Sequence, residues 1–147
     1  MLTDHFHMTE MPFSEHLPLT RIYRDQRILQ GMARLRYLQN GGTIALLTGE
    51  TGVGKSCLLK FFVNSLTDNV YKPIYLHVTN IKSTSLLKLI VTKMGEIPAH
   101  TKELLFGQII DRAQRSEATT ILLIDECHLL SSDALTDLRL LVSSALE

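Results

Sequence analysis

The chain has 147 residues, of which 45% are hydrophobic and 20% charged, the proportions of an ordinary globular protein with one domain. Fifteen basic residues balance fifteen acidic ones, so net charge gives no reason to expect DNA or anionic lipid as a partner. No apolar run approaches the ~20 residues needed to cross a bilayer. The first residues, which include Asp4, His5 and Glu10, lack the apolar core of a signal peptide. Membrane insertion is therefore not expected, and the cytoplasm is the expected compartment.

The first part of the chain is predicted to be an irregular arm. Pro12 and Pro18 interrupt residues 1–20, which argues against a helix there. We place the arm at residues 1–24 and the domain that follows at residues 25–147. The expected apolar anchors of the arm are Phe6, Met8, Met11, Phe13 and Leu17.

A helix and a strand are predicted next. Asp25 opens a helical pattern that ends at the turn residues Asn40-Gly41-Gly42, and its apolar positions are Ile28, Leu29, Met32 and Leu35. Residues 43–48, Thr-Ile-Ala-Leu-Leu-Thr, form a short apolar run without alternation. Such a run is typical of a strand that is buried on both faces.

The rest of the chain alternates between the two element types. Helices are predicted over residues 55–66, 85–94, 102–115 and 131–146, and strands over 74–78 and 121–124. The last helix is expected to turn Leu135, Leu138, Leu141 and Val142 inward. Alternating strands and helices predict an α/β fold, in which a mostly parallel sheet lies between two layers of helices.

Between the first predicted strand and the helix that follows lies a phosphate-binding motif. The segment Gly49-Glu50-Thr51-Gly52-Val53-Gly54-Lys55-Ser56 matches G-x-x-x-x-G-K-[ST] in full. Glycines let the backbone N–H groups turn toward phosphate oxygens, and the N-terminus of the next helix faces the same oxygens. Lys55 is predicted to contact the outer phosphates and Ser56 to bind Mg²⁺. Cys57 completes the predicted nucleotide-binding set, although its apolar neighbours also fit a small buried residue.

Two acidic residues follow the last predicted strand. Asp125 at the end of a buried strand is suited to hold Mg²⁺, the second half of a phosphate-loop site. Glu126 is placed to accept a proton from an attacking water, and with Lys55 it forms the predicted catalytic pair. A GTPase would need a guanine-binding Asn-Lys-x-Asp segment. The most similar stretch of this sequence, Asn80-Ile81-Lys82, has neither the spacing nor the Asp. Small-molecule kinases do not usually place Glu after the metal-binding Asp, so hydrolysis of ATP to ADP and phosphate is favoured.

Residues 124–130, Ile-Asp-Glu-Cys-His-Leu-Leu, together with the phosphate motif, resemble the AAA+ branch of P-loop ATPases. The closer resemblance is to ExeA-like proteins and to transposition ATPases of the TniB and MuB kind. Residues 6–13 with Tyr23 and Leu35-Arg36-Tyr37 are similar to the arm of ExeA-like proteins. Cys127 departs from the Ala that these relatives usually carry. The resemblance spans nearly the whole chain.

This resemblance implies a homo-oligomer that assembles in an ATP-dependent way. Its partners would be DNA and a transposase, or components of a secretion apparatus. It also implies that Tyr23 and Arg24 lie near the adenine. AAA+ domains usually continue with further strands, a sensor residue and an arginine finger. In the sheet of such a domain, one of these later strands lies between the strands that correspond to residues 43–48 and 121–124. The chain is therefore expected to be a fragment or to need completion by another chain, and hydrolysis by residues 1–147 alone is doubtful. The first hypothesis is an AAA+ ATPase that regulates a DNA transaction such as transposition, and the second is a secretion-associated ATPase. The third is a switch that binds ATP without significant hydrolysis.

Overall fold

A computed structural model describes residues 2–9, 11, 18–41 and 43–145. Two strands and six helices lie in these ranges, with single 3-10 turns at Leu19–Arg21 and Cys127–Leu129. The strands are β1 (Tyr71–His77) and β2 (Thr119–Asp125). The helices are α1 (Leu2–His5), α2 (Gln26–Gln39), α3 (Lys55–Ser65), α4 (Ser83–Lys93), α5 (Lys102–Gln114) and α6 (Ser132–Ala145).

Side-chain caps define where two of the predicted helices begin. The Asp25 carboxylate accepts a hydrogen bond from the Ile28 amide at 2.9 Å, which satisfies an amide that α2 leaves without a helical partner. The Thr101 hydroxyl accepts from the Leu104 amide at 3.4 Å and caps α5 in the same way. These caps place the start of each helix within a residue or two of the sequence prediction.

The two strands form a parallel sheet in which Tyr71 lies beside Thr119 and His77 beside Asp125. Helices α4 and α5 connect β1 to β2, the crossover that parallel strands require. Because side chains alternate along a strand, the two faces of the sheet carry different residues. Both faces are covered by helices, so the α/β class and the three layers predicted from the sequence are confirmed.

Each face of the sheet has its own apolar core. On one face, Ile74 and Leu76 of β1 pack with α4, α5 and α6, where Leu86, Leu87 and Leu105 are fully buried. On the other face, Leu123 of β2 packs with α2 and α3 through a second cluster, whose other buried members are Met32, Leu58, Phe61, Phe62 and Leu66. This second core fixes α3, and therefore the start of α3, against the sheet.

The prediction of a strand at residues 43–48 is wrong for this structure. The segment is exposed, with Ile44 at 61% and Leu46 at 73% of their full accessibility. In the described parts of the chain, β1 and β2 pair only with each other, and residues 43–48 join no ladder. A strand without a neighbour lacks the hydrogen bonds that stabilise it, and the apolar run therefore forms no strand here.

Some apolar positions of the predicted helices and arm are exposed. Leu29 of α2 is 56% exposed and Leu135 of α6 is 49% exposed. Leu141 of α6 is buried as predicted, and Leu138 and Val142 are partly buried. Ala134 and Asp137 complete the buried face of this helix. Three expected anchors of the arm, Phe6, Met8 and Met11, are exposed. The first residues of the arm form the short helix α1, where the sequence predicts irregular structure. Phe13, Leu17, Gly42 and Leu146, which also carried predictions, lie outside the described residues.

A buried carboxylate explains why α6 turns a polar position inward. Asp137 is 4% exposed and forms an ion pair with Lys102 at the start of α5, with 2.7 Å between Nζ and Oδ2. The Ser83 hydroxyl at the start of α4 also donates a hydrogen bond to Asp137. One side chain therefore joins three helices on the same face of the sheet.

No helix in the described ranges has the length and apolar character needed to cross a bilayer.

Candidate functional site

Residues 49–54 of the phosphate motif form a loop before α3, and two of its glycines take conformations that other residues avoid. Gly52 has a φ of 85° and Gly54 a φ of 93°, both in the left-handed region. The Gly54 carbonyl accepts the first hydrogen bond of α3, from the Leu58 amide at 2.9 Å. The loop therefore feeds directly into the N-terminus of α3, as the sequence predicts.

Lys55 curls back over this loop. Its ammonium donates to the carbonyl oxygens of Gly49 at 2.9 Å and Glu50 at 2.8 Å. The charge thus lies against the loop that leads into α3, whose first amides have no carbonyl partner within the helix. A helix N-terminus and a cation that face the same space attract anionic groups such as phosphate.

Asp125 lies at the carboxyl end of β2 and is 6% exposed. Its Oδ2 accepts a hydrogen bond from the Tyr75 hydroxyl at 2.6 Å, and its Oδ1 accepts from the Glu126 amide at 3.0 Å. Burial opposes ionisation, but the hydrogen bonds from Tyr75, Ser56 and the Glu126 amide outweigh it. Together with the nearby His77, they hold the pKa of Asp125 below its usual value, so the carboxylate is charged at neutral pH.

The two halves of the predicted site meet at Ser56 and Asp125. Ser56 is the second residue of α3, and its hydroxyl is near enough to the Asp125 carboxylate to help lower the pKa of Asp125. The packing of α3 on the sheet through Phe61 and Phe62 brings the loop to the end of β2. Residues far apart in the chain are therefore placed together, as the two motifs require.

Glu126 has a backbone conformation that is unusual for a residue with a side chain. Its φ of 58° lies in the left-handed region, directly before the 3-10 turn at Cys127–Leu129. The Glu126 side chain is 41% exposed, and its Oε2 lies 3.3 Å from Nδ1 of His128. Strained residues of this kind occur often at functional sites, and this one directly follows the buried end of β2.

Tyr75 contacts the site, although no motif in the sequence points to it. Burial and the hydrogen bond to Asp125 raise the pKa of Tyr75 above its usual range, so the phenol remains a donor at neutral pH. The available signal was a tyrosine between the apolar residues Ile74 and Leu76 of β1, because a buried hydroxyl needs a partner. His77 is paired with Asp125 in the sheet register and helps to lower the pKa of that carboxyl.

The remaining predicted residues lie at the edge of the site or away from it. Cys57 is partly buried against the core beneath α3, which fits its interpretation as a small packing residue. Tyr23 is 85% exposed, and the guanidinium of Arg24 lies 4.8 Å from the centre of the Phe61 ring. A position near adenine stays a prediction for both.

The donor set at the end of β2 fits a magnesium ion. Mg²⁺ prefers hard oxygen ligands and is usually bound through one or two carboxylates, with water and phosphate oxygens completing its shell. Asp125 supplies a charged carboxylate and Ser56 a hydroxyl beside it, next to the loop that would hold the phosphates. Within the part of the chain that the structure describes, Asp125 forms no ion pair with lysine or arginine, so its negative charge can attract a metal cation.

Comparison with known proteins supports these observations. Residues 38–146 match the family model described as AAA domain. The chain is 30% identical over 150 aligned residues to the general secretion pathway protein A of Aeromonas hydrophila. That alignment covers 97% of this chain and 27% of the relative, so the chain spans about a quarter of the relative's length. No solved structure matches.

Proposed function

Because the chain belongs to the AAA domain family, we propose that it binds ATP with Mg²⁺ and belongs to an ATPase that hydrolyses ATP to ADP and phosphate. The observation that carries this proposal is the phosphate motif at the start of α3, with the Lys55 ammonium held on its loop and the buried Asp125 carboxylate at the end of β2. The same arrangement joins a phosphate cradle, a mobile cation and a buried carboxylate, the three parts that phosphoryl chemistry requires.

The proposed roles follow from what each group can donate or accept. The amides of the loop and of Lys55, Ser56 and Cys57 donate to phosphate oxygens, while the Lys55 ammonium leaves the loop carbonyls for the outer phosphates. The Ser56 hydroxyl and the Asp125 carboxylate hold Mg²⁺, which neutralises phosphate charge when bound. Glu126 accepts the proton of the attacking water, and its exposed carboxylate can rotate to do so.

The pathway in which this ATPase acts is a further part of the proposal. The relative's name supports a role in secretion, and its similarity extends over 97% of this chain. A role in transposition, with DNA and a transposase as partners, rests on the TniB- and MuB-like resemblance alone. Secretion is therefore the pathway we favour. Loss of secreted proteins from culture medium after gene deletion supports secretion, whereas an unchanged medium with reduced transposition supports the alternative.

Nucleotide binding is tested by removing the Lys55 charge. We expect Lys55→Ala to abolish binding of a fluorescent ATP analogue, because no other side chain within the described loop places a cation over its concave side. Lys60→Ala is the matched control, since it removes the same charge from an exposed position of the same helix. Unchanged affinity in a folded Lys55→Ala variant would show that Gly49–Ser56 is not the phosphate site.

A further inference from the structure

We propose that Tyr75 is a positioning residue, whose hydroxyl fixes the Asp125 carboxylate in the orientation that binds Mg²⁺. The inference rests on the proposed nucleotide function. It assigns a role to a strand residue outside both sequence motifs. The observation behind it is the hydrogen bond of 2.6 Å from the Tyr75 hydroxyl to Asp125 Oδ2.

The sheet register explains how Tyr75 reaches this carboxylate. Tyr75 lies beside Leu123 in the parallel ladder, and Asp125 is two residues further along β2. Residues two apart on a strand point to the same face, so Tyr75 and Asp125 are diagonal neighbours on the face that α3 covers. A diagonal of this kind is within reach of a long aromatic side chain.

The two carboxylate oxygens of Asp125 have different partners. Oδ1 accepts from the Glu126 amide and Oδ2 from the Tyr75 hydroxyl, so the carboxylate is held at both ends. A carboxylate offers about four lone-pair sites, so these two bonds leave sites for Ser56 and for a metal or its water. Because both oxygens are already held, the carboxylate has less rotational freedom to lose when it binds the ion.

The ring of Tyr75 is itself held in place. It packs against the core beneath α3, the cluster that also contains Phe61, Phe62 and Leu123. The phenol therefore belongs to the rigid body that fixes α3, and Ser56 is carried by the same helix. Tyr75 thus couples the position of the Asp125 oxygens to the packing that positions the phosphate loop.

The test compares Tyr75→Phe with the parent protein, since phenylalanine keeps the ring and removes only the hydroxyl. We measure ATP binding in EDTA and then Mn²⁺ binding to the protein–ATP complex by electron paramagnetic resonance. Loss of a group that orients a metal ligand typically weakens metal binding by about 10–100-fold, and we expect a loss in that range. Nucleotide affinity in EDTA should stay the same. A purely structural role would change the melting temperature and leave the Mn²⁺ affinity unaltered.

Tyr71→Phe is the matched control, because Tyr71 lies on the same strand and packs against the same cluster. It should leave Mn²⁺ affinity unchanged. Equal Mn²⁺ affinities in Tyr75→Phe and the parent would overturn the role of Tyr75 while leaving the proposed function intact. A parent protein that binds no ATP would overturn the proposed function and this inference together.

A second measurement covers the case in which Tyr75→Phe does not fold. Fluorotyrosine incorporated into the parent chain labels all four tyrosines, and Phe variants of the other three, Tyr23, Tyr37 and Tyr71, assign the Tyr75 signal in fluorine NMR by elimination. The Tyr75 resonance should shift when Mg²⁺ is added to the ATP complex. A resonance that does not respond to Mg²⁺ would contradict the inference.

Discussion

Substituting Gly54 with alanine tests whether the phosphate loop has the backbone path described above. Gly54 has a φ of 93° and directly precedes α3. A Cβ at this position would meet no atom within 4 Å, so steric contact with neighbours is not the problem. The cost arises from the backbone itself, because a residue with a Cβ is strained in the left-handed region.

The size of the effect follows from this strain. A left-handed conformation costs a non-glycine residue roughly 1–2 kcal/mol. If the loop keeps its shape, Gly54→Ala should lower the free energy of unfolding by that amount, and the melting temperature by roughly 2–8 °C for a chain of this size. If the loop relaxes instead, the same 1–2 kcal/mol should appear as about a 5–30-fold loss of ATP affinity.

Gly107→Ala provides a control with the opposite expected sign. Gly107 is an exposed position within α5, and a Cβ there also meets nothing within 4 Å. Alanine in a helix interior should stabilise the protein by about 0.5–1 kcal/mol and leave ATP binding unchanged. Thermal melts and calorimetric titrations of both variants decide the matter. The reasoning is refuted if Gly54→Ala melts at or above the parent temperature and binds ATP equally well.

Three further predictions follow from the site and its surroundings. Glu126→Gln in the full-length gene product should keep Mg–ATP binding in calorimetry but lose phosphate release, because an amide cannot accept the proton; surviving turnover would exclude Glu126 as the base. Asp137→Ala should lower the free energy of unfolding in urea by roughly 2 kcal/mol. The loss is smaller than for a fully buried ion pair because the Lys102 side chain is 41% exposed, and an unchanged urea midpoint would show that Asp137 does not stabilise the packing of the three helices. The variant with both Ile44→Lys and Leu46→Lys should self-associate less in light scattering, since it adds charge to an exposed apolar segment; equal scattering would show that the segment does not drive association.

The sequence predicts the helices and both paired strands because their signals are local. Caps such as Asp25 and apolar periodicity depend only on nearby residues, and the structure has α2 to α6 close to the predicted ranges. The prediction for residues 43–48 depended on a neighbour, and the run is unpaired in the described chain. An apolar run specifies a tendency to be buried, whereas a strand forms only where another backbone pairs with it.

The candidate site divides in the same way. The motif residues from Gly49 to Ser56 and the acids that follow β2 could be predicted because their spacing reflects fixed chemistry. Tyr75 could not, because its contact with Asp125 depends on the register between two strands. The inward position of Asp137 was missed for a similar reason. Its partners lie on two other helices, and helical periodicity does not reveal them.

The central claim is that the loop and the end of β2 together bind a metal–nucleotide complex. The most direct test is a crystal structure of the protein with Mn²⁺ and a non-hydrolysable ATP analogue, in which anomalous scattering locates the metal. We expect the metal peak beside the Ser56 hydroxyl and the Asp125 carboxylate, with the phosphates along the amides of Gly49–Ser56 and the Lys55 ammonium turned toward them. A nucleotide bound elsewhere, or a metal peak remote from Asp125, would contradict the claim.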